Sequence, residues 1–130
     1  KPGIDVSIFA CGVMVSRALW AQELLQKEGI SAEVVNVSTI KPLDKEAIIN
    51  YGSKVQIIVT IEEHGICGGL GGAVAETIAE AGLNGKKLFK MIGIPDVFPD
   101  GYGSQEELMK KYSITTENLV FTIKNLSNAL

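Results

Sequence analysis

The hydrophobic positions of the chain follow two periodicities, and one of them predicts four β-strands. Runs of mostly apolar, often β-branched residues occupy positions 4–10 (IDVSIFA), 32–37 (AEVVNV), 55–61 (VQIIVTI) and 88–94 (LFKMIGI). Such runs are typical of strands when turn-forming or polar residues bound them. The third run is interrupted only by Gln56 and Thr60, which predicts a strand buried on both faces.

Between and after these runs, apolar residues recur at helical intervals. The first such stretch, 13–28, ends at Gly29, and the stretch after the third strand ends at Gly82. Trp20 lies off the apolar face of the first helix, so we expect it to be partly exposed. The predicted apolar faces of the first, third and last helices are Met14, Ala18, Ala21 and Leu25; Leu70, Val74, Ile78 and Ala81; and Leu119, Ile123, Leu126 and Leu130.

Two shorter helices are predicted from capping residues. Asp44 can cap a helix that extends to about Tyr51. Ser104 and Glu107 have the spacing of a capping box, which predicts a helix to about Tyr112.

The alternation of strand and helix, with one extra helix, predicts an α/β fold. We expect a three-layer αβα sandwich with a mostly parallel sheet of four or five strands. Residues 1–130 should form one domain, because no repeat, low-complexity tract or linker divides them. Ligands of such sheets bind beyond the carboxyl ends of the strands, so chemistry is expected after Ala10, Val37, Ile61 and Ile94.

Composition and charge argue against two classes of partner. The 12 Lys and Arg residues and 15 Asp and Glu residues give a formal charge of −3, which does not favour nucleic acid. The apolar runs have the length of strands and predict no membrane span. Cys11 and Cys67 are expected to be free thiols in a cytoplasmic protein. Because Lys1-Pro2-Gly3 opens the chain without a Met, we expect a fragment of a longer chain.

A glycine cluster at 65–72 lies between the third strand and the third helix, where phosphate groups often bind. Its spacing matches neither a Walker loop, which would need Gly at position 70 followed by Lys, nor a dinucleotide fingerprint. We therefore interpret the glycines as residues that permit tight turns and the close approach of a neighbouring backbone. That backbone could belong to the same domain or to another subunit.

Polar residues Glu62, Glu63 and His64 come directly before this cluster. A Glu–His pair can perform general acid–base chemistry, but neighbouring residues at a strand end point in opposite directions. The chain has a single His, which excludes a His-rich metal site, and nothing completes a nucleophile or redox pair with Cys67. We favour a structural or interface role for this segment over a catalytic one.

Several segments, spread from the first predicted strand to the last, resemble the C-terminal domain of transketolase. They are residues 5–16 (DVSIFACGVMVS), 29–37 (GISAEVVNV), 40–44 (IKPLD), 61–64 (IEEH) followed by 68–76 (GGLGGAVAE), and 93–96 (GIPD). The resemblance covers essentially the whole chain, in order. It is strongest to the small C-terminal section of the two-part bacterial and archaeal enzymes.

The resemblance implies a division of labour among domains. In this family thiamine diphosphate, with Mg²⁺ or Ca²⁺ on its diphosphate, lies between a diphosphate-binding and a pyrimidine-binding domain, usually of different subunits. The enzyme, a member of the pentose phosphate pathway, transfers a two-carbon ketol unit from a ketose phosphate to an aldose phosphate. The C-terminal domain mainly supports the dimer, so the implied partners are the remaining transketolase domains in a homodimer of the parent.

The resemblance places no catalytic, cofactor-binding or metal-binding residue on this chain. The glutamate that activates the cofactor belongs to the pyrimidine domain, and the metal-binding motif belongs to the diphosphate domain. We expect the isolated domain to bind no cofactor and to be inactive, and we expect Gly69→Val or Gly71→Val to weaken dimerisation. The candidate interface and loop residues are Glu63, His64, Gly65, Gly68, Gly69, Gly71 and Gly72.

Three alternatives remain open from the sequence. The domain could belong instead to 1-deoxyxylulose-5-phosphate synthase or to a 2-oxo acid dehydrogenase β subunit, which share it. It could be a small-ligand or regulatory module that uses the strand-end crevice and the glycine loop. It could also be a docking surface for a partner protein.

Overall fold

A computed structural model of the chain describes residues 5–83, 85 and 87–130. The Lys1-Pro2-Gly3 opening and Ile4, the first residue of the first predicted strand, lie outside the described residues. The strands are β1 Val6–Ala10, β2 Ala32–Asn36, β3 Ile57–Gly65 and β4 Leu88–Ile94. The helices are α1 Met14–Lys27, α2 Lys45–Ser53, α3 Leu70–Glu80, α4 Gln105–Lys111 and α5 Thr116–Ser127.

The strands of the described chain form one parallel sheet in the order β2-β1-β3-β4. In its central register Ile8 lies opposite Val34 on one side and Val59 on the other. Because all strands are parallel, their carboxyl ends lie at one edge of the sheet. The predicted α/β class and the predicted sandwich are confirmed.

Helices cover both faces of the sheet, and each face has its own apolar core. On one face α1 and α5 pack together around a core that includes Ile8, Val59 and Met109 of α4. On the other face α2 and α3 pack on Phe9 and Ile58. These alternating residues of β1 and β3 are fully buried, as expected for central parallel strands.

Helix ends match the predicted caps. The Asp44 carboxylate accepts a hydrogen bond from the Ala47 N–H at 2.9 Å and starts α2. Ser104 and Glu107 form the predicted capping box of α4. No helix in the described residues is long and apolar enough to cross a membrane.

Two predicted core positions are wrong, both at helix ends. Ala81 is exposed because α3 ends at Glu80, and Leu83 packs against that core instead. Leu130 is 61% exposed because α5 ends at Ser127. The other residues predicted to face the cores are buried or, in the case of Leu126, partly buried against them.

The end of β3 also differs from the sequence prediction, and this difference shapes the candidate site. The strand continues beyond Ile61 to Gly65 because a register irregularity lets Gly65 pair with Ile94 of β4. The Ile66 N–H donates to the Ile94 carbonyl at 2.9 Å, which extends the pairing further. Residues 62–64 therefore lie in a strand and not in a loop.

Candidate functional site

A groove of about 410 Å³ opens at the carboxyl edge of the sheet, where ligands of such folds usually bind. It lies beside the ends of β1 and β3 and the start of α3. Its lining residues are Cys11, Gly12, Val13, Ile40, Glu62, Glu63, His64, Gly68 and Gly69.

Glu62 is the central polar residue of this groove, and its side chain is 1% exposed. Its two carboxylate oxygens accept hydrogen bonds from the Leu70 and Gly71 N–H groups, each at 2.7 Å. Gly69, the N-cap residue of α3, has no side chain to offer these groups. The buried carboxylate therefore caps the helix from a neighbouring strand and meets the partial positive charge of the helix N-terminus.

Glycine is required around Glu62 because the backbones approach closely. A Cβ on Gly69 would lie 2.1 Å from Glu62 Oε2 and 2.7 Å from the Gly65 carbonyl oxygen. A Cβ on Gly71 would lie 2.8 Å from Met91 Sδ. These contacts belong to the same domain. The close approach of a neighbouring backbone within the domain therefore applies to Gly69, whereas Gly71 leaves room for side chains of β3 and β4.

The same edge brings β4 against β3. A Cβ on Gly93 would lie 2.8 Å from the His64 carbonyl oxygen and 3.1 Å from Glu62 Cγ. Gly93 thus lets β4 pass behind the segment that carries Glu62. In the sequence, Gly93 stands out only as part of the resembling segment 93–96, because its contact joins residues far apart in the chain.

Glu63 and His64 follow Glu62 but face different surroundings. Both carboxylate oxygens of Glu63 accept from the Gln105 side-chain amide of α4 at 2.8 Å. The His64 side chain is 67% exposed, and its Nδ1 lies 4.0 Å from Glu62 Oε2 and 2.9 Å from the Gly65 carbonyl oxygen. The alternation of the strand therefore separates the two carboxylates, as the sequence predicts.

Cys11 is the remaining titratable group at the groove. Burial raises the pKa of the Cys11 thiol, and the nearby Glu62 carboxylate raises that pKa further. The thiol therefore stays protonated and is a poor nucleophile at neutral pH. Cys67 is exposed, and both cysteines are free thiols, which confirms that prediction.

The candidate interface and loop residues divide by exposure. Glu63, His64 and Gly68 are exposed, Gly65 and Gly72 are half-buried, and Gly69 and Gly71 are buried. In the sequence, Val13 and Ile40 stand out only as members of the resembling segments 5–16 and 40–44, and Gln105 does not stand out, because only the fold brings their loops and helices to this edge. Gly69 has no side chain, so the residue at the start of α3 provides no local acceptor for the first N–H groups of the helix.

The groove does not fit a diphosphate group. The two oxygens of Glu62 already occupy the first N–H groups of α3 that would otherwise bind a phosphate. The lining includes two glutamates and neither Lys nor Arg, so its charge would repel an anion. Within the residues that the structure describes, no group of three His, Cys, Asp or Glu side chains could hold a metal ion.

Comparison with known proteins identifies the family of the domain. The family model "Transketolase, C-terminal domain" matches residues 1–119. A putative transketolase C-terminal section of Methanocaldococcus jannaschii is 50% identical over 90% of this chain and 35% of its own length. A 1-deoxy-D-xylulose-5-phosphate synthase of Caldanaerobacter subterraneus is 39% identical over 93% of this chain and 19% of its own length.

Solved structures agree with the sequence relatives. A structure described as a split gene transketolase, an inactive beta4 tetramer, aligns with a TM-score of 0.82 and 36% identity. That alignment covers 96% of this chain and 40% of the other. The chain thus spans 19% to 40% of the length of these related proteins.

Proposed function

Because this chain belongs to the transketolase C-terminal domain family, we propose that it supports the assembly of a larger, thiamine-diphosphate-dependent transketolase. In this proposal the parent transfers a two-carbon ketol unit between sugar phosphates. The cofactor and its Mg²⁺ or Ca²⁺ bind between the pyrimidine- and diphosphate-binding domains, which are the partners of this chain. The domain itself contributes no catalytic group.

The observation that carries this proposal is that both carboxylate oxygens of Glu62 are hydrogen-bonded to α3. A general acid or base needs a free oxygen that can reach a substrate, and both oxygens of this buried carboxylate accept backbone N–H groups. Burial raises the pKa of the Cys11 thiol, a partly buried titratable group of the groove. The buried carboxylate at this edge therefore serves the fold.

The same contacts argue against the small-ligand alternative. An anion or nucleotide at the glycine loop would have to displace Glu62 from Leu70 and Gly71 and approach Glu63 as well. Displacement would leave a buried carboxylate without its hydrogen bonds, which is costly. The groove is thus better suited to contact with another protein surface than to binding a phosphate.

Calorimetry and an activity assay test the proposal. We expect the chain alone to release no heat with thiamine diphosphate and Mg²⁺ and to transfer no ketol unit from a ketose phosphate to an aldose phosphate. The complete parent protein should release heat on binding thiamine diphosphate with Mg²⁺ and should transfer the ketol unit. Binding of thiamine diphosphate by the folded chain alone, with folding checked by circular dichroism, would contradict the proposal.

The likeness to 1-deoxy-D-xylulose-5-phosphate synthase makes a second parent activity testable. The identity to that relative is 39%, against 50% to the transketolase section, so the transketolase activity is favoured. Formation of 1-deoxy-D-xylulose 5-phosphate by the parent, without ketol transfer, would select the synthase.

We further propose that the exposed residues of the candidate interface, Glu63, His64 and Gly68, contact another subunit of the parent. Gly69→Val and Gly71→Val are unsuitable tests, because a larger side chain there clashes within the domain. His64→Ala is a better test, since its side chain is 67% exposed. It should shift the parent homodimer towards monomer in sedimentation velocity, whereas Glu23→Ala on the exposed side of α1 should not.

A further inference from the structure

The loop that follows β4 exposes two aromatic rings and a valine. In residues 95–103, named here the aromatic loop, Phe98 is 100% exposed, Tyr102 is 107% exposed and Val97 is 54% exposed. Single exposed apolar residues are ordinary on protein surfaces. Phe98 and Tyr102 are both fully exposed and only three residues separate them in the sequence, and exposed apolar residues that occur together mark interaction sites.

Other exposed aromatic residues of the chain behave differently. Trp20 on α1 is 60% exposed and Phe121 on α5 is 63% exposed, so each side chain is partly covered by its own domain. The Phe98 and Tyr102 rings gain nothing from the fold of this domain. A reason for aromatic side chains at these positions has to lie outside it.

The aromatic loop is held at Asp100, which lies between the two rings in the sequence, and at Ser104, which directly follows the loop. The Lys111 ammonium donates to the Asp100 carboxylate and, at 2.7 Å, to the Asp100 carbonyl oxygen. Directly after the loop, Ser104 and Glu107 form the capping box of α4. Gln105 then connects α4 to Glu63 at the end of β3. The loop is thus continuous with the surface that carries Glu63 and His64.

The related proteins are long enough to contain a partner for this loop. The chain spans 35% of the length of the transketolase section that it resembles, so about two-thirds of that relative lies outside the matched region. The aromatic loop also carries the exposed acidic residues Asp96 and Asp100, the second of which is paired with Lys111. A complementary surface therefore needs apolar pockets with a basic or hydrogen-bond-donating rim.

We propose that Phe98 and Tyr102 anchor this domain to the remaining domains of the parent protein by inserting into such pockets. This inference rests on the proposed function, and it names a second contact surface beside Glu63 and His64. Aromatic anchors that fill pockets on a partner typically supply much of the binding energy of an interface.

Hydrogen–deuterium exchange of the complete parent protein tests the proposal. The backbone amides of 96–103 should exchange at least about tenfold more slowly in the parent than in the isolated chain, because a covered loop opens less often. The double variant Phe98→Ser/Tyr102→Ser should remove this protection. The matched variant Trp20→Ser/Phe121→Ser, which also removes two exposed aromatic rings, should retain it.

Three other exchange patterns would contradict the inference. Fast exchange of 96–103 in the parent, with slow exchange at 63–68, would overturn this inference and leave the proposed function intact. Fast exchange of both segments in the parent would overturn both. Slower exchange of 96–103 when the isolated chain is concentrated would identify a second copy as the occupant and would also overturn the inference.

Discussion

Glu62 and the aromatic loop lie at the same end of the domain, but their side chains have opposite environments. Around Glu62, both carboxylate oxygens are bonded and Gly69 and Gly71 leave no room for a Cβ. In the aromatic loop, Phe98 and Tyr102 are fully exposed. The first region is explained by the stability of the domain, and the second is explained only by something outside it.

This contrast shows which residues report on the fold and which report on assembly. A substitution at Glu62 or Gly69 acts on the free energy of unfolding, so any effect on activity or dimerisation would be indirect. A substitution at Phe98 leaves the domain unchanged, so its effects reveal a partner.

Glu62→Ala should cause the largest loss of stability. It leaves two buried N–H groups of α3 without their acceptor, and each hydrogen bond to a charged group contributes about 1.5–3 kcal/mol. We therefore expect the free energy of unfolding, measured by urea denaturation, to fall by about 3 kcal/mol or more. Glu63→Ala, one residue away at an exposed site, should cause little change. Equal losses for the two variants would show that Glu62 is not the cap on which α3 depends.

Gly69→Ala should come next. Its Cβ would lie 2.1 Å from Glu62 Oε2, so the carboxylate has to move and its hydrogen bonds must lengthen. Overpacking of this kind typically costs about 1–3 kcal/mol. Gly85→Ala is the control, since nothing lies within 4 Å of the added Cβ. Thermal unfolding of both variants compares them, and an unchanged midpoint for Gly69→Ala would mean that the corner around Glu62 is not tightly packed.

Glu107→Gln should change how much stability the domain loses at low pH. Glu107 belongs to the capping box of α4, the helix between the aromatic loop and Glu63. Hydrogen bonds from the Ser104 backbone N–H and then from the Ser104 hydroxyl lower the pKa of the Glu107 carboxyl. A carboxyl whose pKa is lowered by folding stabilises the protein above its unfolded-state pKa, and this contribution is lost as the pH falls through the folded-state pKa.

The variant should therefore lose less stability than the native chain when the pH is lowered from neutral to about 3, near the ordinary carboxyl pKa range. Urea denaturation at both pH values measures the difference, with Glu23→Gln on the exposed side of α1 as control. An acid-induced loss as large in Glu107→Gln as in the native chain would count against the role of the capping box.

Phe98→Ser/Tyr102→Ser should have the smallest effect on the isolated chain. Because both rings are fully exposed, their removal should leave the thermal midpoint unchanged. A clear decrease in the midpoint would mean that the rings pack inside the domain. The contrast between the two regions would then fail, together with the inferred docking role.

Much of the fold could be predicted from local patterns. The helical face of Met14, Ala18, Ala21 and Leu25 is fully buried, and the strand at 88–94 has the predicted limits. These features depend on neighbours within a few residues, which periodicity and capping rules describe. The prediction that Ala81 and Leu130 lie on buried helix faces was wrong, because a helix end depends on the last hydrogen bonds that the tertiary structure allows.

The candidate site was predicted less completely. The sequence located the polar segment and the glycines, but it did not show that Glu62 caps α3, because the two are joined across a turn whose geometry is not local. The roles of Gly93 and Gln105 depend on contacts with β3 from β4 and α4. Such contacts join residues 29 or more positions apart and have no periodic signature.

The sequence by itself determined the alternation of strands and helices, the two-sided burial of the sheet and the family resemblance, because these follow from local periodicity and short motifs. Only the tertiary structure decided that the strand carrying Glu62 extends to Gly65 and that its carboxylate is bonded to α3. The tertiary structure also decided that Phe98 and Tyr102 contribute nothing to their own core. The physical reason is that burial and hydrogen bonding depend on which distant segments meet. The type of an apolar residue does not show whether its side chain is buried or exposed.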